Sequence, residues 1–184
     1  MYVPTASDTL TKKLVLFSMG EIENLDGSSL AAALSLNNDH AKETSLQDRA
    51  SLAALIDMAF YARGLDGGAT ALLIALDHHA AYDNPNFNWF RRRLAESAND
   101  KFIYIDRVIV ANEARGLGIA RRLYLDLFDH AERAGHCRIV CEVNLEPPNP
   151  ASDAFHATMG FIEIGQAAIH GGSKVVRYFE KILS

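Results

Sequence analysis

Apolar residues recur along this chain in two rhythms, one helical and one of strand type, and between them they predict most of its elements. Leu52, Leu55, Ile56, Ala59 and Phe60 recur at helical spacing after Ser45-Leu46-Gln47-Asp48, which has the form of a helix start capped by Ser45. Gly64–Gly68 interrupts that pattern. Ala69–Leu76 then forms an unbroken apolar run of strand length, the mark of a strand buried on both faces. Phe102–Val110 is the clearest strand, aromatic and β-branched throughout except for Asp106 and Arg107. A glycine-containing turn leads from it into a helix running from about Gly118 to Ala134. Ala120, Leu123, Tyr124, Leu127, Phe128 and Ala131 make its apolar stripe, and Gly135 closes it. Arg138–Leu145 is another strand. Asn149-Pro150 opens a helix that Gly160 ends, and Phe161–Ile169 and Lys174–Leu183 read as two strands around Gly171-Gly172.

The remaining segments are less regular. Asp77–Pro85 is turn-rich, and Asn86–Leu94 predicts a short helix carrying the sole tryptophan, Trp89. Ser29–Asn37 suits a strand or a short helix; Asn37-Asn38 directly after an apolar run favours a strand ending at Asn37. Lys13–Met19 would add one more strand. The expected organisation is an N-terminal extension over residues 1–28 and a single domain over 29–184. Strands alternating with helices predict an α/β fold, with a mixed, twisted sheet of about six or seven strands flanked by helices on both faces.

Composition narrows the classes of function. With 184 residues, 49% hydrophobic and 22% charged, the chain suits one globular domain. No stretch approaches the ~18–20 apolar residues of a membrane span. The N-terminus lacks the basic-then-apolar order of a signal peptide, so the expected compartment is the cytoplasm, with no membrane partner. A net charge of −5 and basic clusters as short as Arg91-Arg92-Arg93 and Arg121-Arg122 argue against a nucleic-acid partner. Cys137 and Cys141 would lie roughly 13 Å apart on an extended strand, beyond disulfide reach. His78, His79, His130, His136, His156 and His170 show no zinc-ligand spacing with those cysteines, so scattered surface histidines and no metal are expected.

The strongest chemical signal is Arg115-Gly116-Leu117-Gly118-Ile119-Ala120, set between a strand and an amphipathic helix. The first turn of a helix offers backbone N–H groups without intrahelical partners at the positive end of its dipole. Glycines let a phosphate approach those donors, and Arg115 adds charge. A bare helix start explains glycine pairs equally well. A Walker A loop is absent, because no Lys-Ser or Lys-Thr follows, and a dinucleotide fingerprint would need a third glycine.

Val110-x4-Arg115-x2-Gly118-x-Ala120 resembles motif A of the GNAT acetyltransferase superfamily: a strand, then Arg or Gln, two residues, Gly, one residue, and Gly or Ala. Asn149-x6-His156-x3-Gly160-Phe161 is similar to its motif B, usually Asn-x6-Tyr-x3-Gly-Phe, in the expected order and at the expected distance. From Asp77 onward the chain further resembles a bacterial branch of predicted acetyltransferases without an assigned substrate. The resemblance implies a GNAT-like fold and acetyl-CoA as cosubstrate. Pantetheine would bond to the backbone of Val108, Ile109 and Val110, and the pyrophosphate would rest on Arg115, Gly116, Leu117, Gly118, Ile119 and Ala120 with Arg121 nearby. Asn149 would contact pantetheine, cap its helix, or both.

The same resemblance implies acetyl transfer to the amine of a small molecule or an amino terminus, by direct attack in a ternary complex. An amine with pKa near ~10 is almost wholly protonated at pH 7, so a proton acceptor is needed. Asp106, Glu142 and a water relay compete for that role, each carboxylate being equally explicable as half of a structural ion pair. Arg107, adjacent to Asp106, is expected on the opposite face of the strand and so not as its partner. His156 stands where family members often have a tyrosine that protonates the departing thiolate. The oxyanion donor would be the backbone N–H of Val108 or Val110. Candidate acceptor-site residues are Asn37, Asn38, Tyr82, Phe87, Trp89 and Tyr178. Two strands lie between Ala69 and Val110 where the family commonly has three, with an insert at Asn84-Pro85-Asn86. The family also admits a homodimer. The rival from another class is a non-catalytic acyl-CoA-binding module.

Overall fold

The computed structural model describes residues 20–95, 97 and 101–184; the strand expected at Lys13–Met19 lies outside them. Its strands are β1 (Glu23–Asn24), β2 (Tyr61–Leu65), β3 (Ala71–Asp77), β4 (Ile103–Val110), β5 (Arg138–Glu146), β6 (Ile162–Ile169) and β7 (Lys174–Ile182). Its helices are α1 (Leu30–Asp39), α2 (Ala41–Thr44), α3 (Arg49–Met58), α4 (Pro85–Leu94), α5 (Ile119–Arg133) and α6 (Pro150–Thr158). The strands form one sheet in the order β1-β2-β3-β4-β5-β7-β6. Every neighbouring pair is antiparallel except β4 and β5, which are parallel. The expected mixed sheet of six or seven strands is present.

Ala71 to Leu76 of β3 are wholly buried, as an unbroken apolar run requires. Helices cover both faces. Tyr61 and Arg63 of β2 point to α5, where both bond the Asp126 carboxylate. The alternate residue Gly64 faces the other way, and a Cβ there would meet Gly68 Cα at 3.1 Å. Gly68 in turn packs on Ala33 of α1. On α5, Ile119, Leu123, Tyr124, Leu127, Phe128 and Ala131 are buried, at the spacing of a helix that presents one face to a sheet.

Three local expectations need correction. Ser29–Asn37 is helical: α1 buries Leu30, Ala33, Leu36 and Asn37, a period of three to four that places one side on the core and overrides the asparagine signal. Ser45 does not cap α3; it has φ 89° at the C-terminal end of α2, and α3 is capped by Asp48, whose carboxylate accepts from the Ser51 N–H at 2.7 Å. The helix pattern stops at Met58. Beyond it Tyr61–Leu65 pairs along β3, so β2, β3 and β4 run antiparallel before the glycine turn, with β2 N-terminal to Ala69 and the two-residue β1 paired at its outer edge. The reading missed β2 because it is short, interrupted by Gly64, and joined to α3 by residues that continue the helical apolar rhythm.

Candidate active site

β4 and β5 pair only through Ile103↔Ile139 and Tyr104↔Val140, then part, leaving a cleft whose walls are strand backbone. On its other side β4 carries a register shift: Ile74 pairs with Arg107 but Ala75 with Ile105. Asp106 is the extra residue of a β-bulge, and a bulge suspends the strict alternation of faces. The expectation that Arg107 points away from Asp106 therefore fails. Arg107 Nε lies 2.7 Å from Asp106 Oδ2, with side chains only 3% and 4% exposed. Arg107 also donates to Asn37 Oδ1 at 2.6 Å. Removing one partner of a buried, bonded pair leaves the other uncompensated. Arg107→Met is expected to lower unfolding free energy by about 3 kcal/mol, read from the urea midpoint.

The cleft is lined among others by Tyr82, Asp106, Val108, Tyr124, Glu142, Ser152, His156 and Lys174. Glu142 Oε1 accepts from Asn86 Nδ2 at 2.9 Å and from the Tyr104 hydroxyl at 3.1 Å. Its Oε2 is shielded from solvent and has no hydrogen-bond partner. Burial, and then the nearby charge of Asp106, pushes the Glu142 carboxyl up to about 7. The two carboxylates thus differ in what they are free to do. Asp106 spends Oδ1 on the Tyr82 hydroxyl at 2.6 Å and Oδ2 on Arg107. Glu142 lines the cleft and keeps one oxygen without a hydrogen-bond partner.

His156 is 3% exposed, and its two nitrogens have different partners. Nδ1 lies 2.8 Å from the Ser152 carbonyl oxygen, which can only accept, so Nδ1 carries the proton. Nε2 lies 2.8 Å from the Tyr124 hydroxyl and is then the acceptor. Burial holds the His156 pKa below the ordinary imidazole range and pushes the Tyr124 phenol well up. The neutral pair presents a phenolic proton donated to an imidazole. Tyr124 was legible only as part of an apolar stripe, because a buried tyrosine and a buried leucine obey the same periodicity.

The glycine turn stands open. Gly116 and Gly118 have φ 76° and 81°, and a Cβ on either would meet nothing within 4 Å. Gly118 is the N-cap of α5, with no side chain capping it. Val110, Arg115, Gly116, Gly118, Ile119, Ala120 and Arg121 line one groove together with Phe155, Thr158 and Met159 of α6. Val108 and Asn149 face the cleft between the strands; Asn149 also caps α6 by accepting from the Ser152 N–H. Ile109 is buried and Leu117 packs on the core, so these two can contribute only backbone. A pyrophosphate fits the open turn, and an extended amide-bearing arm fits the unpaired edge of β4.

Of the residues considered for the acceptor, only Tyr82 lines the cleft. Asn37 is fully buried and ties Arg107 to the Ser45 carbonyl. Asn38 bonds both the N–H and the carbonyl of Gln47. Phe87 is fully buried. Trp89 stacks on Tyr178 at 3.9 Å, and the Tyr178 hydroxyl donates to Asn86 Oδ1 at 3.0 Å. That bond fixes the Asn86 amide so that its Nδ2 meets Glu142. Trp89 and Tyr178 therefore brace the carboxylate from behind. In the sequence Asn86 stands only as part of the insert Asn84-Pro85-Asn86 and Tyr104 only as a strand residue; Asn84, whose side chain caps α4 at the N–H groups of Asn86 and Phe87, is the available signal that Asn86 is held in a helix start. The histidines are not all scattered either: His78 and His136 both reach the Asp77 carboxylate.

Among curated proteins none matches this chain in sequence. Solved structures are similar in fold: the ribosomal-protein-S18-alanine N-acetyltransferase from Escherichia coli is 16% identical over 90% of this chain and 95% of that one, with TM-score 0.63. The ribosomal-protein-alanine N-acetyltransferase from Brucella melitensis is 21% identical over 89% and 99%, TM-score 0.64. The yncA protein from Salmonella typhimurium, solved with its cofactor acetyl-CoA, is 18% identical over 89% and 94%, TM-score 0.64. The family model described as "Acetyltransferase (GNAT) family" matches residues 67–161, more than half of the 184 residues, and spans the open glycine turn and the motif B helix. The chain belongs to the GNAT acetyltransferase family.

Proposed function

We propose that the protein is an N-acetyltransferase that moves an acetyl group from acetyl-CoA to the amine of a small molecule or an amino terminus, with Glu142 as proton acceptor. The observation that carries this reading is the unpartnered Oε2 of Glu142, a residue that lines the cleft, on a carboxyl raised to about 7. A base with a pKa near the working pH combines a useful ionised fraction with useful proton affinity. Acetyl-CoA supplies the acetyl group as a thioester. The glycine turn holds its pyrophosphate, and the edge of β4 from Val108 to Val110 holds its pantetheine arm.

The ionised Glu142 takes a proton from the substrate ammonium, directly or through one water. The freed nitrogen lone pair attacks the thioester carbonyl carbon. A backbone N–H of Val108 or Val110 faces the developing oxyanion. As the C–S bond breaks, the electron pair leaves on sulfur and takes a proton from the Tyr124–His156 pair, while the nitrogen now bonded to the acetyl carbon gives up its second proton, through water, to restore that pair. In this arrangement the Tyr124 hydroxyl, turning its proton from His156 Nε2 to the sulfur, does the work that the sequence places on His156, and His156 holds the phenol in position. Tyr124→Phe is expected to leave acetyl-CoA affinity unchanged and to lower kcat roughly 10²-fold, by stopped-flow detection of released thiol.

Calorimetric titration tests the reading directly. Acetyl-CoA should bind selectively over NADH and ATP, and a panel of primary amines should then reveal thiol release. No heat with acetyl-CoA from a folded sample sinks the proposal. Binding without turnover on any amine or peptide amino terminus would favour a non-catalytic acyl-CoA-binding module.

A further inference from the structure

Asp77 ends β3, His78 follows it directly, and His136 sits in the turn joining α5 to β5. Chain direction brings them together: Asp77 pairs with Ile103 at the start of β4, and Ile103 pairs with Ile139 at the start of β5. The cluster therefore lies at the closed end of the β4–β5 cleft, away from the glycine turn. Asp77 Oδ1 is 3.0 Å from His78 Nδ1, and Asp77 Oδ2 is 3.2 Å from His136 Nε2. All three ligand atoms fall within 4.8 Å of one another.

We propose that Asp77, His78 and His136 form a site for a divalent transition-metal ion, with Zn²⁺ as the fitting member, that clamps the closed end of the cleft. Ligand atoms held ~2.0–2.1 Å from a tetrahedral zinc lie roughly 3.3 Å from one another; the two carboxylate–imidazole separations are already of that size, and the full set lies within 4.8 Å, so side-chain rotation has to close the rest. Two imidazoles and one carboxylate are borderline donors of the kind zinc takes. The three side chains are sheltered but not sealed, at 27%, 10% and 12% exposure for Asp77, His78 and His136. Water can complete the coordination from the solvent side.

The donors are also held in place, which a site requires beyond having the right atoms. The His78 N–H is bonded to the Phe102 carbonyl at 3.0 Å and the His136 N–H to the Ala131 carbonyl at 2.9 Å. The His136 ring packs edge-on against Phe60 at 5.2 Å, and the His78 ring lies 5.9 Å from Phe102. The His79 N–H donates to Asp77 Oδ1 at 2.8 Å, orienting the carboxylate from behind. An ion here links the end of β3 to the start of β5 across β4, where the sheet itself supplies only two pairs.

The test uses the tag-free full chain, equilibrated with micromolar Zn²⁺ and dialysed, with bound metal measured by elemental mass spectrometry. One ion per chain and a Tm raised by several degrees are expected. Asp77→Asn and His136→Gln should each weaken Zn²⁺ binding at least about tenfold, while retained acetyl-CoA binding shows that the fold survives. Cys137→Ser and His130→Gln should bind zinc as the parent does. His78→Gln provides a third ligand variant should either of the others fail to fold. No uptake by the parent chain, or equal uptake by folded ligand variants, overturns the proposal, as does loss of uptake in Cys137→Ser.

Discussion

Glu142→Gln is expected to lower kcat/KM by roughly 10²–10⁴-fold, the range for removing a positioned general base, and to remove the rise of the parent's rate through about pH 7. The substitution preserves shape. Gln Oε1 can still accept from Asn86 and Tyr104, and its amide nitrogen would occupy the position of the unpartnered Oε2. The same change should stabilise the protein above neutrality. The carboxyl of Glu142 is raised in the folded state from its ordinary 4.5 to about 7, so between these values the folded chain binds more protons than the unfolded chain. Stability therefore falls as pH rises through that window, and the full deficit remains above it. Gln carries no such deficit, and a gain on the order of 1–3 kcal/mol at pH 8 follows. Initial rates against pH, together with urea melts at pH 5 and 8, check both. A structural role alone would give the opposite melt, with the variant less stable; unchanged rates would remove Glu142 from the chemistry.

Gly118→Glu should abolish measurable acetyl-CoA binding, a loss of at least about 10²-fold, through two independent costs. The residue has φ 81°, a left-handed conformation that costs a non-glycine residue roughly 1–2 kcal/mol. The new carboxylate would also compete for the α5 amides against a pyrophosphate of its own sign. Space is not the obstacle, since a Cβ there meets nothing within 4 Å. Gly118→Ala therefore separates the terms: it pays the conformational cost without the charge and should lose only roughly tenfold. Calorimetry on both variants reads the difference, and equal binding by Gly118→Glu and the parent would show that the pyrophosphate lies elsewhere.

What the sequence made legible follows from where the chemistry resides. The glycine turn offers backbone amides and left-handed φ angles, and both are dictated locally by Arg115 to Ala120, so the spacing together with the motif B residues pointed to it. β3 followed from a continuous apolar run, and β4 from aromatic and β-branched residues interrupted only by Asp106 and Arg107. Side-chain chemistry was harder, because it depends on neighbours distant in the chain. Asp106 and Glu142 look alike as acids interrupting apolar strands. Only the bulge that turns Arg107 onto Asp106, and the α4 residue Asn86 that leaves half of Glu142 uncommitted, tell them apart. Tyr124 was hidden for the converse reason, being a polar atom on a side chain whose packing is wholly apolar. Likewise Asp77, His78 and His136 meet only because three strands align their ends.

The parting of β4 from β5 also bears on association. Two residue pairs join the halves of the sheet, so beyond Tyr104 and Val140 the sheet of the described residues has two inner margins in addition to its outer ones at β1 and β6. A strand margin is ordinarily a template that recruits foreign strands and leads to aggregation. Here the two inner margins face one another across a gap with polar walls, and only an extended, narrow chain with amides of its own can satisfy them. A globular neighbour cannot enter, so a surface that would be a hazard on the outside of the protein becomes selective when folded into its middle.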